Sequence, residues 1–151
     1  ALLDIDYHHG NGTQEIFYHS DQVLFLSLHA DPNCAYPFLW GYADECGAGK
    51  GEGYTRNFPL LPGTSDQVYL EALDQALALI QRFGPDYLVL SAGFDLLAGD
   101  PLGDFSVSLE GLARIGERLA GLRLRALVVQ EGGYNLANLG QAALNLLSPF
   151  A

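Results

Sequence analysis

A chain of 151 residues with 49% hydrophobic side chains is long enough for one domain with a substantial core. Its net charge of −11 argues against a nucleic-acid-binding surface, and no apolar run is long enough for a transmembrane helix. Neither nucleic acid nor membrane is therefore expected as a partner. Cys34 and Cys46 are expected to stay reduced, and no signal peptide is visible, so the expected location is cytoplasmic. Because the sequence contains no methionine, even at position 1, we expect a fragment of a longer chain.

Short apolar runs alternate with helical patterns along the chain. Strands are predicted at 1–5, 23–28, 87–90 and 126–129, and helices at 12–18, 65–83, 108–119 and 136–147. This alternation predicts an α/β fold, a parallel sheet with helices on both faces, whose apolar strands are buried on both sides. The stretch from Pro32 to Pro62 shows no periodicity and is predicted to be a long functional loop.

Polar residues and glycines follow every predicted strand. Asp6 and His8 follow the first strand, His29 the second, Asp95 the third, and Tyr134 the fourth. Ligands of open α/β sheets bind at the carboxyl ends of the strands. Four such ends together predict an active site.

Three of these side chains form a plausible set of metal ligands. Asp4, Asp6 and His8 alternate and so share one face at the end of the first strand. Together with Asp95, Asp6 and His8 supply an oxygen and nitrogen donor set suited to Zn²⁺, with Fe²⁺, Co²⁺ or Mn²⁺ not excluded. From these residues alone, hydrogen-bonded turns at Asp6 and Asp95 are an equally valid interpretation.

Five segments, in order along the chain, carry a family resemblance. Residues 4–14, 27–29, 91–95, 100–103 and 131–135 resemble the motifs of the histone deacetylase superfamily. Residues 36–41, 49–54 and 57–60 are most similar to its acetylpolyamine amidohydrolase branch. The resemblance implies an arginase/deacetylase-like fold. It also implies that residues 1–151 are the C-terminal portion of a single deacetylase catalytic domain whose N-terminal part is missing.

The resemblance implies zinc-dependent removal of acetyl groups from acetylated amines by metal-activated water. Asp6, His8 and Asp95 match the zinc ligands, and Tyr134 matches a catalytic tyrosine that hydrogen-bonds the carbonyl oxygen. Matches to the substrate-contacting residues are Phe38, as a wall of the substrate tunnel, Gly132 and Gly133. The substrate would be a small acetylated amine or acetyl-lysine, and a homodimer is one possible assembly.

The family also binds monovalent cations, usually potassium. Residues matching the site beside the zinc are Asp4, Ser27 and Leu28, with the backbone of Asp6 and His8. A second, more distant site would map to Phe17, Ser20, Val23 and Tyr54. The family's tandem histidines, its general base and acid, have no match here and would lie upstream. Asp4 and Asn11 match the hydrogen-bond partners of those histidines.

Two alternatives stay open. Arginase and agmatinase share the fold but bind two manganese ions, and they need a further aspartate at the position that is Leu97 here. A protein of the same fold could also bind acylated ligands without cutting them.

Overall fold

The computed structural model describes residues 1–151 as five strands and four α-helices. The strands are β1 (Leu2–Asp4), β2 (Phe25–Ala30), β3 (Thr55–Leu60), β4 (Tyr87–Ala92) and β5 (Arg125–Gln130). The helices are α1 (Asn11–Phe17), α2 (Asp66–Phe83), α3 (Leu109–Gly121) and α4 (Leu136–Leu147). Short 3₁₀ turns lie at Gly49–Gly51 and Ser148–Phe150. The predicted α/β class is confirmed, with every strand boundary within two residues where a strand was predicted.

All five strands are parallel, in the order β3-β2-β1-β4-β5. The chain moves outward from β1 through β2 to β3, then returns to the other side of β1 to add β4 and β5. Since crossovers between parallel strands are right-handed, this reversal places α1 on one face of the sheet and α2 and α3 on the other. The junction of β1 and β4 is therefore a topological switch point, where open sheets leave a crevice at their carboxyl edge.

Helix α2 provides much of the hydrophobic core. Its apolar positions recur at three- and four-residue steps, and Tyr69, Leu73 and Ile80 are fully buried. Gly84 ends the helix in the left-handed conformation, at φ 66°, which glycine adopts without steric cost. The start of α2 is joined to the start of α3, because the Asp66 carboxylate accepts hydrogen bonds of 2.7 Å from the backbone N–H and hydroxyl of Ser108.

The prediction of a long structureless loop between Pro32 and Pro62 is wrong at its end, because residues 55–60 form the edge strand β3. A proline in the run argues against a central strand, and that signal hid β3. Tyr54 and Leu60 direct their carbonyls to β2, so by alternation Pro59 faces the free edge, where no hydrogen bond is lost.

Two further predictions are corrected at β2 and β5. Strand β2 extends two residues further than predicted, so His29 lies inside the strand and is fully buried instead of following it. Strand β5 is not buried on both faces, since it is an edge of this sheet and Leu127 and Val129 are 62% and 40% exposed. No helix of the structure combines the length and apolar character needed to span a membrane.

Candidate metal centre

The three predicted ligands meet at the switch point between β1 and β4. Asp6 and His8 follow β1, and Asp95 follows β4, its neighbour in the sheet. One donor atom from each residue lies within 4.8 Å of the other two. Strand order alone brings them together, because parallel neighbours end at the same edge of the sheet.

Backbone N–H groups fix the orientation of both carboxylates. Asp95 Oδ1 accepts a hydrogen bond of 2.9 Å from the backbone N–H of Tyr7, and Asp6 Oδ2 accepts one of 2.7 Å from Gly132. Asp6 Oδ1 accepts a further bond of 2.8 Å from the backbone of His8. Such partners hold ligating carboxylates in place and leave their remaining lone pairs for a cation.

Two glycines allow the backbone to approach these carboxylates closely. A Cβ atom at Gly132 would collide with the carboxylate oxygens of both Asp6 and Asp95, and one at Gly93 would collide with Asp6. Any side chain at either position would displace the carboxylates. The glycines that follow β4 and β5 at positions 93 and 132 are thus explained by the limited space at the cluster.

The electrostatics of the cluster favour a cation between the carboxylates. Hydrogen bonds from the His8 ring to Asp6 and Asp95 raise the pKa of His8 to about 9, against the opposing effect of burial. His8 Nδ1 lies 3.0 Å from Asp95 Oδ2 and 3.4 Å from Asp6 Oδ1. Two carboxylates and one imidazole fit Zn²⁺ or another borderline divalent ion, which would compete with the proton on His8.

The cluster opens into a cavity of about 690 Å³, most of whose lining residues are polar or glycine. Tyr134 lines it, half exposed, and burial, Asp95 and Asp6 raise the pKa of its hydroxyl, which keeps the hydroxyl protonated at neutral pH. The Asp100 carboxylate accepts bonds of 2.7 and 2.9 Å from the backbone N–H groups of Tyr134 and Asn135. Asp100 belongs to one of the family-like motifs, but its anchoring of Tyr134 was not predicted.

The structure brings Tyr36 rather than Phe38 to the cavity. The ring centroid of Tyr36 lies 6.4 Å from that of His8. Phe38 has a positive φ of 61°, which turns the chain, and its ring packs edge-on against Tyr36 and does not line the cavity. Tyr36, two residues earlier, is the aromatic residue that lines this cavity, and the role of Phe38 as a tunnel wall stays a prediction. The repeated aromatics of the segment hid which of them faces inward.

Asp4 lies at the base of the cavity, whereas Asn11 lies outside it. Asp4 is buried, its Oδ1 accepts a bond of 3.0 Å from the backbone of Asp6, and burial raises its pKa well above the usual range. The side chain of Asn11, at the start of α1, makes no hydrogen bond and does not line the cavity. The predicted pairing of Asp4 and Asn11 with catalytic histidines stays a prediction.

The predicted potassium sites also stay predictions. Asp4 and Ser27 are register partners on β1 and β2, and Ser27 and Leu28 are fully buried. The Ser27 hydroxyl is hydrogen-bonded with His29 Nδ1 at 2.8 Å. At the more distant site, the Phe17 carbonyl accepts a hydrogen bond from the backbone of Ser20.

A second metal beside the first lacks its ligand. Leu97, where a binuclear site would need an aspartate, is 3% exposed and belongs to the hydrophobic core. Asp6, His8 and Asp95 are the only group of three or more potential ligands that converges in the structure. The arginase-like alternative therefore has no support at this position.

Comparison with known proteins places the whole chain in one family. Residues 1–149 match the model of the histone deacetylase domain. The chain is 47% identical over 150 residues to acetylpolyamine amidohydrolase 1 of Pseudomonas aeruginosa, covering 99% of this chain and 43% of that protein. It is 41% identical over 145 residues to histone deacetylase 15 of Arabidopsis thaliana, covering 94% of this chain and 26% of that protein.

The fold agrees with solved structures of the same group. The crystal structure of an acetylpolyamine aminohydrolase from Burkholderia pseudomallei matches with a TM-score of 0.96 at 44% identity, covering 99% of this chain and 44% of that one. The chain thus spans less than half the length of the amidohydrolases it matches. With a family match across 149 of its 151 residues, the chain belongs to the histone deacetylase family.

Proposed function

We propose that this chain carries the metal centre of a zinc-dependent amidohydrolase that removes acetyl groups from acetylated amines. The convergence of one imidazole and two carboxylates at the switch point, open to a polar cavity, carries the proposal. Relatives named acetylpolyamine amidohydrolase and histone deacetylase support the reaction class. We place small acetylated polyamines ahead of acetyl-lysine in proteins, since the most similar sequences include amidohydrolases of that name.

Asp6, His8 and Asp95 would hold the ion, and three protein ligands leave a coordination position open. A zinc ion there supplies Lewis acidity, which polarises the acyl carbonyl and lowers the pKa of water. The N–H groups of Tyr7 and Gly132 keep the two carboxylates aimed at the centre. Neither carboxylate then has to reorganise when the substrate enters.

Tyr134 would act on the substrate directly. Its hydroxyl is protonated at neutral pH, as for any tyrosine, and burial and the nearby carboxylates raise its pKa further; it would donate a hydrogen bond to the carbonyl oxygen as that oxygen gains negative charge. The Asp100 carboxylate fixes the backbone of Tyr134 by accepting a hydrogen bond of 2.7 Å from its N–H. Proton transfer to the leaving amine needs a further group, which we assign to the family's histidine pair, outside these 151 residues.

The test is hydrolysis by the full-length gene product that contains this chain. N-acetylputrescine and an acetyl-lysine peptide are assayed side by side with the zinc-loaded protein, with and without a hydroxamate chelator. We expect turnover of both, faster for the acetylated diamine, and loss of both with the chelator. If neither substrate is hydrolysed, the proposed hydrolase is refuted, and a protein that binds acylated ligands without cutting them is left.

Metal binding is tested separately on the 151-residue chain. Asp95→Ala should abolish stoichiometric zinc binding, measured by titration against a competing chelator. Asp86→Ala is the matched control, because Asp86 is an exposed aspartate at the opposite end of β4. Zinc retained at nanomolar affinity by Asp95→Ala would contradict the ligand assignment.

A further inference from the structure

A buried polar network connects the metal-bearing edge of the sheet to the aromatic segment beside the cavity. We define this aromatic rim as residues 36–40, which include Tyr36 at the cavity and the exposed side chains of Phe38, Leu39 and Trp40. At one end the rim follows the buried Ala35, whose backbone N–H bonds to the carbonyl of Asp31. At the other end it runs into Gly41.

Gly41 is held through both of its backbone polar groups. Its N–H donates a hydrogen bond of 2.9 Å to Glu45 Oε2, and its carbonyl accepts one of 3.0 Å from His29 Nε2. The glycine has φ 99°, and a Cβ there would collide with the rings of His29 and His9. The end of the rim is therefore fixed to the sheet by contacts that tolerate no side chain.

Glu45 receives a second anchor from helix α1. The same Oε2 atom accepts a hydrogen bond from Gln14 Nε2, and Gln14 is 2% exposed. Gln14 Oε1 in turn accepts bonds from Asn57 Nδ2 at 2.8 Å and from His9 Nε2 at 3.1 Å. A single carboxylate thus joins the rim to α1, to β3 and to the residue next to the ligand His8.

The bonds to Glu45 are of the strong, charge-assisted kind, and three of the other members are almost fully buried. His9, Gln14 and Asn57 lose water on folding, and each hydrogen bond between them replaces one to solvent. One polar atom of the network, His9 Nδ1, is buried without a hydrogen-bond partner, and the remaining hydrogen bonds hold these side chains in one arrangement. The rim exposes apolar side chains, and its own hydrogen bonds run only to Ala35, Pro37 and Tyr42, so its position relative to the sheet depends on the anchor at Gly41.

We propose that Glu45 is a positioning residue, which fixes the aromatic rim over the cavity and thereby determines which acylated amine the site accepts. The proposal rests on the proposed function for its second half, the choice of substrate. Its first half, the position of the rim, concerns only the chain's own contacts. Glu45 itself is neither one of the candidate metal ligands nor a residue that lines the cavity.

The chain contains its own reporter of rim position. Trp40, the only tryptophan, belongs to the rim, precedes Gly41 and is 44% exposed. In the 151-residue chain, Glu45→Ala should raise the acrylamide quenching of Trp40 by about twofold, because Gly41 loses the charge-assisted hydrogen bond of its N–H and is then held only through its carbonyl by His29. Glu45→Gln keeps an oxygen that can accept both bonds and should restore parental quenching. Asp44→Ala is the matched control, since Asp44 is exposed and its side chain makes no hydrogen bond.

Substrate choice is measured on the full-length gene product. Glu45→Ala should raise KM for N-acetylputrescine by about tenfold, with kcat within about threefold, since the rim binds and does not react. The ratio of kcat/KM for N-acetylputrescine to that for the acetyl-lysine peptide should therefore fall in Glu45→Ala, while its zinc content stays stoichiometric. Glu45→Gln should have the kinetic constants of the parent. A purely structural role would lower zinc content or kcat for both substrates equally.

Three results would overturn the proposal: unchanged Trp40 quenching in Glu45→Ala, an unchanged substrate preference, or equal effects from Asp44→Ala. If Glu45→Ala fails to fold, Glu45→Asp takes its place. Its shorter carboxylate cannot reach Gly41 and Gln14 together, and parental quenching and preference there would refute the positioning role. If the parent hydrolyses neither substrate, the proposed function fails, and with it the substrate half; the Trp40 measurement still decides the position of the rim.

Discussion

Acid should destabilise this protein through one buried histidine, His29. Its ring is fully buried in β2, where Nδ1 meets the Ser27 hydroxyl and Nε2 donates to the carbonyl of Gly41. Burial, and next to it the ring of His9 at a centroid distance of 4.4 Å, lower the pKa of His29 to about 3. In the unfolded chain the pKa of a histidine is about 6.5.

The sign follows from which state binds the extra proton. Between pH 6.5 and pH 3 the unfolded chain is protonated at His29 and the folded chain is not, so the free energy of unfolding falls as pH falls. The slope approaches about 1.4 kcal/mol per pH unit, and the loss from pH 7 to pH 4 is roughly 3 kcal/mol. That is a large share of the roughly 5–15 kcal/mol typical of a folded domain.

Urea unfolding at pH 7, 6, 5 and 4, with chelator present, measures this loss. His29→Gln should be less stable at pH 7, because it disturbs the contacts with Ser27 and Gly41. Its free energy of unfolding should, however, change less steeply with pH than that of the parent, because the variant takes up as much as one proton fewer on unfolding. His19→Gln, at an exposed histidine, is the matched control. Equal pH slopes for the parent and His29→Gln would show that folded His29 accepts its proton freely and would refute the reasoning.

Three further predictions concern the cavity. Tyr134→Phe in the full-length protein should keep stoichiometric zinc and lose roughly 10²–10³-fold in kcat; near-parental turnover would remove its role as hydrogen-bond donor. Because zinc must displace the proton of His8, whose pKa is raised to about 9, zinc affinity should weaken by about tenfold for each pH unit below that value, measured by titration at pH 8, 7 and 6. Gly132→Ala should weaken zinc binding by about tenfold or more, since its Cβ displaces both carboxylates, while Gly140→Ala, at an exposed helical glycine with open space, should not.

The metal cluster could be predicted from sequence because it depends on little more than strand order. Asp6, His8 and Asp95 follow two apolar runs, and neighbouring parallel strands place whatever follows them at one edge. Helix α4 was predicted with its observed bounds for a similar reason, since its periodicity is local to twelve residues.

Edge strands were predicted less well, because sequence periodicity does not tell how many neighbours a strand has. The run at 126–129 has the apolar composition of a strand buried on both faces, yet in this sheet Leu127 lies 62% exposed. Strand β3 has the opposite composition, with Arg56 and Pro59, and was overlooked although both fit an edge. The burial of a strand depends on its place in the sheet order. Amino-acid composition indicates that place only indirectly.

The polar network beneath the rim was beyond the sequence for a further physical reason. His9 and Asn57 lie 48 positions apart, and Gln14 and Glu45 lie 31 apart, so no local pattern connects them. Each of these residue types is common in loops and on exposed helix faces. Only the folded sheet brings the four side chains within hydrogen-bonding distance of one another. A polar residue that is buried and paired over such separations has exchanged its hydration for hydrogen bonds that hold one geometry. The network fixes Gly41, and Gly41 ends the aromatic rim. Under the two proposals, the residues that sequence could not predict would set the shape of the site, whereas those that it predicted would set its chemistry.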